Sequence, residues 1–104
     1  SRGVSAHRGS ASVSVQRFPL TKEYDPAQFA VAARALDRVA RRLAADAKGE
    51  TIDVDGRKAR SYTYGSKRLG FVLVGRSEYQ LFCAPAGGAC DLLFKTFTLT
   101  GPSA

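Results

Sequence analysis

TIDVDGRKARSYTYGSKRLGFVLVGRSEYQLFCA, residues 51–84, decides the fold. Its residue types alternate with a period of two, and three glycine-bearing turns interrupt it. Thr51 to Val54, then Asp55-Gly56, then Arg57 to Tyr64 is the pattern of a β-hairpin on a two-residue turn, because Asp-Gly tolerates the positive φ angles that such turns demand. A second turn is expected near Gly65-Ser66, and a third at Gly75-Arg76-Ser77. Between them Leu69 to Val74 is almost wholly apolar, so this strand is placed at the sheet centre with both faces buried. Glu78 to Ala84 returns with Tyr79, Leu81 and Cys83 on one side and Gln80 and Phe82 on the other.

Upstream of this meander the period changes to that of a helix. Asp25 is a good N-cap, Pro26 suits the first helical position, and Gln28 completes a capping-box pattern. Phe29, Ala32, Ala33, Leu36, Val39, Ala40, Leu43, Ala44 and Ala47 recur at three- and four-residue steps as one apolar stripe. That predicts one amphipathic helix of about 20 residues. Lys48 suits its C-terminal dipole and Gly49 its stop. Arg34, Asp37, Arg38, Arg41 and Arg42 fall on the opposite face, with Asp37 and Arg41 spaced to pair. Earlier still, Val13 and Val15 alternate with Ser12, Ser14 and Gln16 as in a half-buried strand, which Pro19 ends.

Downstream, Asp91 can cap a short helix through Leu92, Leu93, Phe94 and Phe97; the alternative is a strand to Thr100. The preferred reading is a turn or two of helix followed by a short strand over residues 97–100. The fold class expected is therefore α+β: an antiparallel sheet of about five to six strands, one long amphipathic helix packed on one face, and a short C-terminal helical turn. Residues 1–10 read as a flexible lead-in, 11–101 as a single α+β domain and 102–104 as a tail.

With 104 residues and 44% hydrophobic content, the chain is the size of one domain and can build a core. No apolar run approaches the roughly 20 residues that cross a bilayer, and no stretch reads as a signal peptide. The chain opens on Ser1 rather than Met, as a processed or trimmed form does; a leader or lipid-attachment cysteine would lie upstream. Lys and Arg total 16 against nine Asp and Glu, a net charge of +7, which attracts anionic polymers, lipids and acidic proteins. The absence of Met, Asn and Trp beside many Ala, Gly and Arg is also what a GC-rich coding bias produces.

Six residues, among them Pro85, Gly87 and Gly88, separate Cys83 from Cys90. A turn there brings the thiols together, so a Cys83–Cys90 disulfide and an oxidising compartment are expected; two reduced, buried thiols are the alternative. His7 is the only histidine, which leaves no His-based catalytic arrangement in the ordered region, and four His/Cys ligands for zinc are not present. No cofactor is implied. In the register set by Asp55-Gly56, Ile52, Val54 and Ala59 face the core. Lys58, Arg60, Tyr62 and Tyr64 then share the other face, with Lys67 and Arg68 at its far end. Cations interleaved with tyrosines can grip a phosphate backbone and stack a base, whereas a slip of register would bury both rings. The basic helix face is a second surface that could meet anionic headgroups or an acidic partner.

The run from Gly70 to Cys83, with Cys90 to Phe97, resembles the C-terminal half of small secreted actinobacterial proteins and lipoproteins, some of which have a PsbP/Mog1-like fold. The resemblance implies an exported or membrane-tethered accessory protein. The function expected is thus a secreted or envelope-tethered, non-enzymatic binding or accessory domain of unknown ligand, with an anionic cell-envelope component or an acidic protein as candidate partners. The alternative is nucleic-acid or other polyanion binding on the hairpin face.

Overall fold

The computed structural model describes residues 2–8 and 11–98. Its elements are β1 (Arg2–Arg8), β2 (Ala11–Pro19), a 3₁₀ turn at Pro26–Gln28, α1 (Phe29–Leu43), β3 (Lys48–Val54), β4 (Arg57–Tyr64), β5 (Lys67–Val74), β6 (Ser77–Ala84) and α2 (Gly88–Thr96). The six strands form one antiparallel sheet in the order β1-β2-β6-β5-β4-β3. After β2 the chain crosses the sheet as α1, begins again at the far edge with β3, and meanders back until β6 pairs with β2. The α+β class and the short C-terminal helix stand as expected from the sequence.

The hairpin register is the one its turn dictates: Val54 opposes Arg57, Asp53 opposes Lys58 and Ile52 opposes Ala59. Asp55 and Gly56 take φ of 52° and 77°, the positive values that a two-residue hairpin loop requires. Because side chains alternate along every strand, this register sorts the sheet into two faces, each with its own core. On one face Val54, Ala59, Val72, Leu81 and Cys83 pack with Cys90 and Phe94 of α2. On the other, Tyr62, Leu69 and Phe71 pack under Leu36 and Ala40 of α1. The central strand β5 contributes to both, which is why Leu69 to Val72 needs no polar alternation.

The face under α2 is stapled. Cys83 of β6 and Cys90 of α2 form the expected disulfide, with Cα atoms 5.5 Å apart. A side chain at Gly70 would collide with the Phe94 ring, since an added Cβ would lie 2.3 Å from its Cε2 atom. Glycine in β5 is thus the slot that lets α2 lie flat on the sheet. Arg68 covers the same ring, its guanidinium carbon 3.9 Å from the centroid, and donates to Ser61 and Asp91.

Four expectations are corrected. Residues 2–8, read as flexible lead-in, form edge strand β1, in which Val4 and Ala6 register against Val15 and Val13. That alternation is short, but a ladder needs only backbone groups. The long helix ends at Leu43, not near Gly49: Ala44 turns extended as its C-cap, because Lys48 to Glu50 join the ladder opposite Thr63 to Ser61. Helix α2 begins at Gly88, so Asp91 sits in its first turn instead of capping it. Phe97 and Thr98 are not in a strand, and the rest of that expected strand lies outside the described residues, as does the tail at 102–104.

Candidate functional site

Of the six residues proposed for the hairpin face, the structure keeps Lys58, Arg60, Tyr62 and Tyr64 on one side of β4, as the register requires. It does not leave them as an open binding surface. Tyr62 is 2% exposed, with its ring in the core beneath α1. Tyr64 packs at the edge of the same cluster. Arg68 points to the opposite face, against α2. Lys58 and Lys67 remain exposed, at opposite ends of β4. The tyrosines therefore do not form an exposed stacking platform: the helix expected on one face of the sheet covers the face that they occupy.

What Arg60 and Tyr62 do is anchor α1. Asp37, expected on the solvent face in a pair with Arg41, turns inward. Its Oδ1 accepts from Arg60 Nη2 at 2.8 Å and, in a short bond, from the Tyr62 hydroxyl. Arg60 also donates to Thr51 of β3 at 3.1 Å. Gly49 of β3 makes room, since a Cβ there would lie 2.6 Å from both Arg60 Nη2 and Tyr62 Cε1. Burial alone would raise the Asp37 pKa, but the bonds from Tyr62 and Arg60 and the charges of Arg60 and Arg41 outweigh it and hold the carboxyl below its ordinary value. Burial first, and then donation to Asp37, push Tyr62 up to about 12 against the opposing Arg60 bond.

The sign for Tyr62 is that of a group whose folded pKa lies above its unfolded value of about 10. Its contribution is complete below about pH 10 and disappears as the pH rises through about 12. Urea unfolding across this range should therefore show the wild type losing about 2–3 kcal/mol that Tyr62→Phe does not lose. Parallel losses in the two proteins would place the alkaline transition elsewhere.

Beyond the inner face of α1, its flank and outer face carry exposed aliphatic and basic side chains. Among the described residues, three of the four large hydrophobic side chains that stay exposed lie on this one helix: Val31 at 55%, Val39 at 43% and Leu43 at 59%. With exposed Ala35 they are spaced four residues apart, so they form one ridge that winds slowly along the helix. Arg34, Arg38 and Arg42 share that spacing and form a second, adjoining ridge, also exposed. None of these three arginines has an ion pair or side-chain hydrogen bond among the described residues. The apolar ridge spans a rise of about 18 Å.

Sequence reasoning found the arginines but placed Val39 and Leu43 in the core. The signal it passed over is the width of the stripe. At 3.6 residues per turn, Val39 points about 60° away from Leu36 and Val31 about 140° away, whereas Leu43, only about 20° away, is exposed as the last residue of the helix. No group of three or more His, Cys, Asp or Glu side chains that could hold a metal occurs among the described residues, and no helix among them is long and apolar enough to cross a membrane. Comparison with protein-family models, with curated proteins and with solved structures finds no match.

Proposed function

We propose that this chain is an extracytoplasmic, non-enzymatic accessory domain that docks on an anionic lipid surface of the cell envelope through α1. The observation that carries the reading is the pair of parallel ridges, one aliphatic and one of arginines without an ion pair among the described residues, on a helix whose inner face is fixed to the sheet. An amphipathic face of this kind lies in the headgroup plane, with its apolar side chains at the acyl boundary and its cations on the phosphates. The disulfide supports the compartment, because such bridges persist in oxidising surroundings. The resemblance to secreted actinobacterial proteins and lipoproteins points the same way.

Sedimentation with vesicles tests the reading. The protein should bind phosphatidylglycerol-containing vesicles, bind neutral phosphatidylcholine vesicles far less, and release as salt rises. At about 1 kcal/mol per cation near an anionic surface, Arg38→Ala with Arg42→Ala should weaken binding about 30-fold. Lys58→Ala with Lys67→Ala should leave it nearly unchanged. Equal binding to neutral vesicles, or single-stranded DNA bound more tightly than vesicles and lost with the lysine pair, would sink the proposal.

A further inference from the structure

At the end of the sheet the segment from Leu20 to Asp25 crosses in front of the β5–β6 turn, held by Leu20 N donating to Arg76 O at 2.8 Å and Tyr24 N to Gly75 O at 2.7 Å. Between this crossing and the β3–β4 turn lies a cleft of about 330 Å³, within the size range of small-molecule sites. The crossing and the 3₁₀ turn that follows it contribute the Tyr24 and Pro26 rings, β5 contributes Leu73, and the two hairpin turns contribute Gly56 and Gly75. Both glycines have positive φ, 77° and 57°, and a Cβ on either would meet no atom within 4 Å, so no side chain shields the turn backbone there. The cleft also has two cations in its lining, and each has an acidic residue beside it. Asp55 lies 3.7 Å from Arg57, and Asp53 stands opposite Lys58 in the β3–β4 ladder. The Tyr24 hydroxyl makes no hydrogen bond among the described residues. Burial first, and then the charge of Asp25, raise its pKa, so it is a protonated donor at neutral pH.

Ring faces, bare turn backbone, balanced charge and one donor together define a ligand. We propose that the cleft binds a neutral planar ring system bearing a hydrogen-bond acceptor, laid against Tyr24 and Pro26 with its acceptor reaching the Tyr24 hydroxyl. A rigid ring covers such flat surfaces without the rotamer freedom that a flexible chain would lose. An ion of either sign would give up its hydration for a site with no net charge to replace it. None of the lining residues belongs to α1, so the site is separate from bilayer docking.

The test is titration of the full chain with 2-naphthalenemethanol, without vesicles, followed by amide NMR. Saturable shifts should appear at Gly56, Leu73 and Gly75. The fully saturated decalin analogue keeps the hydroxyl and the carbon skeleton but is not planar, and should bind about 5-fold more weakly. Hydrophobic transfer alone would favour that analogue, since it is the more apolar of the two. The carboxylate and the methylammonium of the same naphthalene should bind no tighter than the alcohol. Tyr24→Phe should weaken the alcohol about 5-fold through loss of the hydrogen bond and keep the preference for the planar ring. Tyr24→Ala should abolish that preference, while the Tyr24 backbone bond to Gly75 is retained. No saturable shift, shifts confined to α1, equal or tighter binding of the saturated analogue or of either ion, no effect of Tyr24→Phe, or a planar preference that survives Tyr24→Ala would each overturn the proposal. Because no bilayer is present, failure of vesicle docking would leave this result standing, and the converse holds too.

Discussion

Phe94→Ala should destabilise the domain by about 3–5 kcal/mol in urea unfolding, the range for removing a large aromatic from a core. Phe94 is 5% exposed and belongs to the buried cluster on the α2 face. Its ring lies directly over Gly70, and Arg68 caps it from the other side. The cavity left by alanine would have backbone for its floor, and backbone cannot collapse to fill it. Reducing the disulfide is the informative comparison. On the chain-entropy model, the short loop between Cys83 and Cys90 contributes about 2.5 kcal/mol. The ring should therefore matter more than the bridge. If reduction cost more than Phe94→Ala, the bridge rather than packing would be what holds α2 on the sheet.

Leu36→Ala should cost about 2–5 kcal/mol, while Arg38→Ala should cost under about 0.5 kcal/mol. Leu36 is one of two buried side chains of α1 and sits on Tyr62, Leu69 and Phe71. Arg38 is exposed and has no bonded partner among the described residues. The pair also separates folding from docking, since Arg38→Ala should weaken vesicle binding without changing the unfolding midpoint. Equal stability losses would mean that α1 is rotated from the orientation described.

The meander was legible because its signals are local. Asp55-Gly56 sets a register, the register sets the faces, and the almost wholly apolar run of Leu69 to Val74 fits a strand covered on both sides over most of its length. The disulfide followed from a short loop rich in turn formers. What local pattern could not supply is which helix covers which face. Lys58, Arg60, Tyr62 and Tyr64 were correctly placed together, yet whether Tyr62 meets water or Leu36 depends on the long crossover from β2 to β3. Asp37 carries the same lesson. At its spacing from Arg41 it reads as a surface ion pair, and only the tertiary contact makes it the acceptor for Tyr62 and Arg60. The end of α1 was misplaced because Ala44 to Ala47 continue the apolar period, while the β3–β4 ladder claims Lys48 and Gly49.

The outer face of α1 was half legible for a related reason. Arginines at four-residue steps are visible in sequence, but aliphatic residues beside them read as core until the sheet is seen to reach only Leu36 and Ala40. The chain contains no tryptophan, so a single one introduced on that face reports its surroundings without interference. Val39→Trp is the most direct probe of docking through α1. Its emission should shift to the blue when phosphatidylglycerol-containing vesicles are added and should be quenched by brominated acyl chains, while Leu92→Trp, on exposed α2 at the opposite face, should do neither. Emission from position 39 that is unchanged by vesicles to which the protein binds, or a shift at position 92 instead, would contradict docking through α1.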